Sequence, residues 1–155
     1  MTETKQAAGG RTVHLALVQF ESVLCDPAAN TQKACRMIAE AAAEGADLVV
    51  LPELFSTGYE LNIVGPPVPE LAEPVDGPTV RALQDAARAG NCYVVAGLAL
   101  AYDMAGVPFN SSVVIDRQGE LLARTTSSIC GRSSASTSAP AATARCSTPT
   151  SGASA

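Results

Sequence analysis

The chain has 155 residues, 47% of them hydrophobic, and a formal net charge of −5, which suffices for one domain. It offers no basic stripe for nucleic acid and no apolar run long enough to cross a membrane. Residues 1–11 are polar, without the apolar stretch of an export signal, so a cytoplasmic location is expected. The five cysteines are odd in number and lack Cys-x-x-Cys spacing, so they read as free thiols. His14 is the only histidine, which argues against a histidine-based metal site or triad.

In chain order, Val13 to Phe20 reads as a short buried strand. Cys25 to Pro27 form a turn. Asn30 or Thr31 is expected to open a helix whose apolar face is Ala34, Met37, Ile38 and Ala41, with Gly45 as its C-cap. Leu48 to Leu51 form a second strand, and strand–helix–strand implies parallel pairing. Five prolines between residues 60 and 78 predict a long loop. Pro78 then suits the first turn of a helix with the stripe Val80, Leu83 and Ala87, closed by Gly90. Cys92 to Leu100 reads as a third strand. Asn110 to Asp116 and Glu120 to Ala123 read as a hairpin around Arg117, Gln118 and Gly119.

Composition changes abruptly after Arg124. Residues 1–124 hold all 15 acids, whereas residues 125–155 hold none, and 22 of those 31 are Ser, Thr or Ala. Such a segment buries too little apolar surface to offset its ordering entropy. The expected organisation is a disordered arm over 1–11, a domain over 12–124 and a disordered tail over 125–155.

The principal candidate for chemistry is Glu53. It ends Asp47-Leu48-Val49-Val50-Leu51-Pro52-Glu53, where a strand delivers a carboxylate at its C-terminal end, the place open α/β sheets put their ligands. Its role is general base or, alternatively, a capping or solvated loop carboxylate. No Gly-x-Gly-x-x-Gly or Walker loop follows either strand, so nucleotide binding has little support.

Three segments carry a resemblance: Ala16-Leu17-Val18-Gln19-Phe20, the helix from Asn30, and Leu51-Pro52-Glu53-Leu54-Phe55 with Gly58-Tyr59. With Val94 to Gly97 and Asn110-Ser111 in the same order, residues 12–124 resemble the N-terminal half of the carbon–nitrogen hydrolase (nitrilase) superfamily. The resemblance implies part of an α-β-β-α sandwich. It also implies hydrolysis of amide, nitrile or carbamoyl substrates through a thioester, using a Glu–Lys–Cys triad and no cofactor or metal. Glu53 would be the base, and Tyr59 would shape the substrate pocket or simply pack. Family members are often homo-oligomers, so a homo-oligomer is a further expectation.

Only one member of that triad matches. The family's lysine follows the hairpin in a Tyr-x-Lys-x-His-Leu-like motif, but the lysines here are Lys5 and Lys33, neither in that place. Cys130 and Cys146 lie in Ser/Thr/Ala surroundings rather than at the end of an apolar strand. Cys25, Cys35 and Cys92 read as small core or loop residues. A frame joining the third base of each codon to the first two of the next permits Tyr, then His, Tyr, Asn or Asp, then Lys, then Leu, Ile or Gln, then His, Leu and Trp from Arg124 through Gly131. The same frame permits Phe-x-Pro-Gly from Thr137 through Ala141. The expectation is a frameshift near codon 124, in the gene or its sequencing, and an inactive chain with one sheet face uncovered. The alternatives are a non-catalytic partner of an intact homologue and an unrelated small-molecule-binding α/β domain.

Overall fold

The computed structural model describes residues 12–60, 68–101 and 108–128. The elements are β1 (Leu15–Leu17), α1 (Pro27–Ala43), β2 (Leu48–Val50), α2 (Val68–Leu71), α3 (Pro78–Gly90), β3 (Tyr93–Ala101), β4 (Pro108–Ile115) and β5 (Leu121–Ser128). The strands form one five-stranded sheet in the order β1-β2-β3-β4-β5. The first three are parallel, and β4 and β5 are antiparallel additions.

Local chemistry explains the helices, with two corrections to the sequence reading. Helix α1 opens at Pro27 rather than at Asn30, because Asp26 caps it by accepting from the Ala29 amide at 3.0 Å. Helix α3 begins at Pro78 as expected, but its N-cap is Gly77, which has no side chain to offer. The Glu73 carboxylate supplies that function, accepting from the Thr79 amide at 2.8 Å and the Thr79 hydroxyl at 2.7 Å. The left-handed residue that closes α3 is Asn91, at φ 49°, rather than Gly90.

Both helices cover one face of the sheet. Ala34 and Ile38 from α1 and Val80, Leu83 and Ala87 from α3 are buried. They meet Val49, Val94, Ala96, Leu98, Leu100, Val113 and Ile115 from alternate strand positions. Burying one large aliphatic side chain there contributes about 1.5–3 kcal/mol.

The opposite face carries no layer among the described residues. Leu15, Leu48 and Tyr93 stand in one register row, and Leu17, Val50 and Val95 in the next. Leu17 is 74% exposed and Leu122 57% exposed.

Two strands differ in length from expectation by more than one residue. β1 covers only Leu15–Leu17, because the chain then leaves the sheet to form the loop beneath the Glu53 turn. β5 runs to Ser128, past Arg124, pairing with β4 from Ile115↔Leu121 to Phe109↔Ser128. An exposed edge strand needs backbone pairing more than apolar side chains, and threonine suits it. Within the stretch read as a long loop, residues 61–67 lie outside the described residues, Val68–Leu71 forms the short α2, and Glu73 bridges to β3. Residues 1–11 and 129–155, where the arm and most of the tail were expected, lie outside the described residues.

Candidate active site

Glu53 sits where β2 ends. The Leu51 amide still donates to Val95 O at 2.8 Å, and then the chain turns sharply, with Leu54 at φ 48°. The Phe55 amide donates to Gly97 O at 3.0 Å, tying the turn to β3. A Cβ on Gly97 would lie 2.8 Å from Glu53 Cα and 3.2 Å from Pro52 O, so only glycine lets the turn come this close.

From the other side the turn is held by Asn30. This side chain is fully buried, and its three hydrogen bonds are satisfied. Its Oδ1 accepts from the Val23 amide at 2.8 Å, and its Nδ2 donates to Val23 O and Ser56 O, each at 2.7 Å. The Ser22 hydroxyl donates to Phe55 O at 2.9 Å, and the Cys25 amide to Thr57 O at 3.0 Å. The backbone that carries Glu53 is thus anchored to α1, the 22–25 loop and β3.

The Glu53 side chain is exposed and reaches the open face of the sheet. Its Oε1 accepts from Asn110 Nδ2 on β4. Around this pair lies a hollow of about 350 Å³, lined by Val50, Val95, Gly97, Ser112, Thr125 and Ser127 among others. A carboxylate over a floor of hydroxyl groups can exchange protons with a small polar substrate. Tyr59 is 57% exposed and borders a different hollow, on the other side of Glu53, with Phe20, Ser22 and Leu24. Asn110 was read as the start of a strand. Its contact with Glu53 spans 57 residues, and no local pattern signals it.

The remaining candidates lie elsewhere. Lys33 Nζ donates to Glu21 O at 3.0 Å and sits 5.1 Å above the Phe20 ring. Cys25 packs with Leu54 and Ala99 behind the turn. Cys92 is buried in the core, and burial pushes its thiol up, away from the reactive thiolate. Burial, then the nearby Asp85 charge, raises the Cys35 thiol as well. Among the described residues no group of three His, Cys, Asp or Glu side chains is placed to hold a metal ion. His14, at the start of β1, is exposed, and its amide donates to the Asp47 carboxylate. No helix among them is long and apolar enough to cross a membrane.

A mixed five-stranded sheet with helices packed on one face is consistent with the α/β fold of the nitrilase-like hydrolases. The chain belongs to the carbon–nitrogen hydrolase family, whose model matches residues 14–130. It is 41% identical to a nitrilase of Pyrococcus abyssi, over 69% of this chain and 40% of that protein. It is 36% identical to an aliphatic nitrilase of Rhodococcus rhodochrous, over 73% and 33%, and 34% identical to an omega-amidase of Homo sapiens, over 71% and 38%. The chain therefore spans 33–40% of the length of these curated relatives. Among solved structures, an amidase from Nesterenkonia sp. superposes with a TM-score of 0.62 at 27% identity, over 74% of this chain and 42% of that one. A mutant of that amidase in complex with butyramide superposes with a TM-score of 0.64 at 27% identity, over 77% and 45%.

Proposed function

We propose that this chain is the N-terminal part of a hydrolase of amide-type carbon–nitrogen bonds in which Glu53 is the general base. The observation that carries this reading is the Glu53–Asn110 pair on a backbone turn anchored from three sides. A base positioned by a rigid element, rather than by a mobile loop, is what proton transfer at a reacting amide requires. In the reaction the resemblance implies, Glu53 takes the thiol proton as sulfur attacks the carbonyl carbon and passes it to the amine, which leaves as the C–N bond breaks; Glu53 then deprotonates a water that cleaves the thioester, and the proton returns to the departing sulfur. A lysine stabilises the charge that develops on oxygen. Short aliphatic amides are the first substrates to test, because the Nesterenkonia amidase has been captured with butyramide and acrylamide.

The chain as written holds one of these three groups and is expected to be inactive, since residues that act as a unit fail together. The register of β5 bears on the frameshift. In the alternative frame the lysine codon joins Thr126 to Ser127. Loss of one base puts the lysine at position 127, and gain of two puts it at 126. Ser127 pairs with Asn110, on the face that bears Glu53, whereas Thr126 pairs with the buried Ser111. Loss of a single base is therefore the favoured event, since it brings the lysine beside the base.

Two experiments test the proposal. Resequencing the encoding DNA across codons 115–150 is expected to reveal one missing base. The corrected protein is expected to hydrolyse short amides, and Glu53→Gln to abolish that activity. Hydrolysis by the uncorrected chain that depends on Glu53 would refute the assignment of inactivity. Full activity of the corrected Glu53→Gln variant would refute the base.

A further inference from the structure

Glu53 meets its partner one strand away. The backbone at Glu53 packs on Gly97 of β3, and the side chain crosses to β4, where Asn110 Nδ2 donates to its Oε1. Neighbouring strands lie about 4.8 Å apart, a span that a glutamate side chain bridges. Asn110 is held in mid-sheet, in register with Ala99 of β3 and Ser127 of β5. Ser111 is buried and alternates with it, so Asn110 faces the side that bears Glu53. The other polar side chains of β4 and β5 around the hollow are the hydroxyls of Ser112, Thr125, Thr126 and Ser127. A hydroxyl rotates to donate or accept, whereas a carboxamide N–H only donates. Facing a carboxylate, Asn110 is therefore a donor of fixed direction on a fixed backbone.

We propose that Asn110 is a positioning residue for the base: it grips one carboxylate oxygen of Glu53, fixes the side-chain rotamer and assigns the proton transfers to the other oxygen, Oε2. The inference rests on the reading of Glu53 as general base and adds to it a second residue and a division of labour within the carboxylate. Oε2 takes the proton from the attacking group and gives it up to the leaving group, while Asn110 neither gains nor loses one. Proton transfer depends steeply on the placement of the base, so a carboxylate that turns about its own bonds loses rate even where its backbone is rigid. The contrasting role for Asn110 is to tie the turn to the sheet. That task is already performed by the Leu51 and Phe55 amides, which donate to Val95 O and Gly97 O, and by the buried Asn30 side chain. What those bonds leave undetermined is the direction of the Glu53 side chain, and Asn110 is the group that sets it.

NMR of the full chain as written tests the grip without relying on activity. Glu53→Gln is expected to shift the Asn110 side-chain amide resonance. Three-bond couplings along the Glu53 side chain are expected to report one staggered rotamer and to average in Asn110→Ala. Circular dichroism and thermal melts check the fold, and the melting midpoint of Asn110→Ala is expected to stay unchanged. The functional arm uses the frame-corrected protein and short amides. There Asn110→Ala is expected to lower kcat about tenfold to a hundredfold while KM changes less than about twofold, since a misplaced base slows chemistry and leaves binding intact. Asn110→Asp keeps the shape but sets a second carboxylate against Glu53, and is expected to lose at least as much. An Asn110 resonance indifferent to Glu53→Gln, or Glu53 couplings unchanged in Asn110→Ala, overturns the proposal. So does full kcat in the corrected Asn110→Ala variant while Glu53→Gln is inactive, an outcome that leaves the base standing. A raised KM at unchanged kcat also overturns it and gives Asn110 to substrate binding. A corrected protein without amide hydrolysis overturns the hydrolase reading, and the proposal with it.

Discussion

The two faces of the sheet come from the same strands and have opposite fates. On one, Val49, Val94, Leu98, Val113 and Ile115 are sealed beneath α1 and α3. On the other, their immediate neighbours Leu48, Val95, Ser112 and Val114 look outward, beside Glu53 and Asn110. The covered face holds the apolar core and the open face holds the proposed base. A strand alternates its side chains between faces, so a single residue's offset decides which role each takes.

The sharpest way to break this contrast is to truncate matched residues on each face. Leu98→Ala is expected to cost about 2–5 kcal/mol, because it leaves a cavity beneath the helices. Leu17→Ala, at a side chain already in solvent, is expected to cost less than about 0.5 kcal/mol. Urea unfolding monitored by circular dichroism compares them, and equal losses would show that the open face is covered in solution.

The next largest effect tests the anchoring of the Glu53 turn. Asn30→Ala leaves the Val23 amide and the Val23 and Ser56 carbonyls without their buried partner. A loss on the order of 3 kcal/mol is expected, with faster amide exchange confined at first to residues 22–25 and 54–58. Gly97→Ala is expected to cost about 1–3 kcal/mol, as the added methyl pushes against Glu53 Cα and the Pro52 carbonyl. Its distinguishing readout is a shifted Asn110 side-chain amide resonance, which a purely local core change would leave in place.

The smallest effect is pH-dependent. Burial raises the Cys35 and Cys92 thiols above the ordinary thiol value of 9.0. The folded state therefore holds these protons more tightly than the unfolded chain. That contribution is complete below pH of about 9 and declines as the pH rises through the folded values. Thermal melts are expected to be flat in this respect between neutral pH and about 8 and to fall above 9, with Cys92→Ser reducing the slope.

Much of this architecture was legible in the residues. The stripes Ala34–Ile38 and Val80–Leu83–Ala87 face the core as their spacing implied, and β1, α1 and β2 form the expected parallel unit. Glu53 stands at the end of its strand, as the Pro-Glu run suggested. Caps and strand ends were read less well. Asn30 looked like a helix start because asparagine favours that position. Here Asp26 takes the cap, and Asn30 is spent on contacts 7 and 26 residues away. Glu73 gave no sign that it would cap α3 across a loop. The composition after Arg124 suggested tail, yet β5 continues to Ser128 because β4 offers it a pairing edge.

By itself the sequence determined the periodic elements, the shift in composition after Arg124 and the carboxylate at a strand end. Each of these is a short-range pattern of side-chain size and polarity, and such patterns are written in neighbouring residues. Only the tertiary structure decided which sheet face is covered, that Gly97 and Asn30 hold the Glu53 turn, and that Asn110 meets the carboxylate. Those outcomes depend on hydrogen bonds and close approaches between residues far apart in the chain, which exist only once the strands are in register.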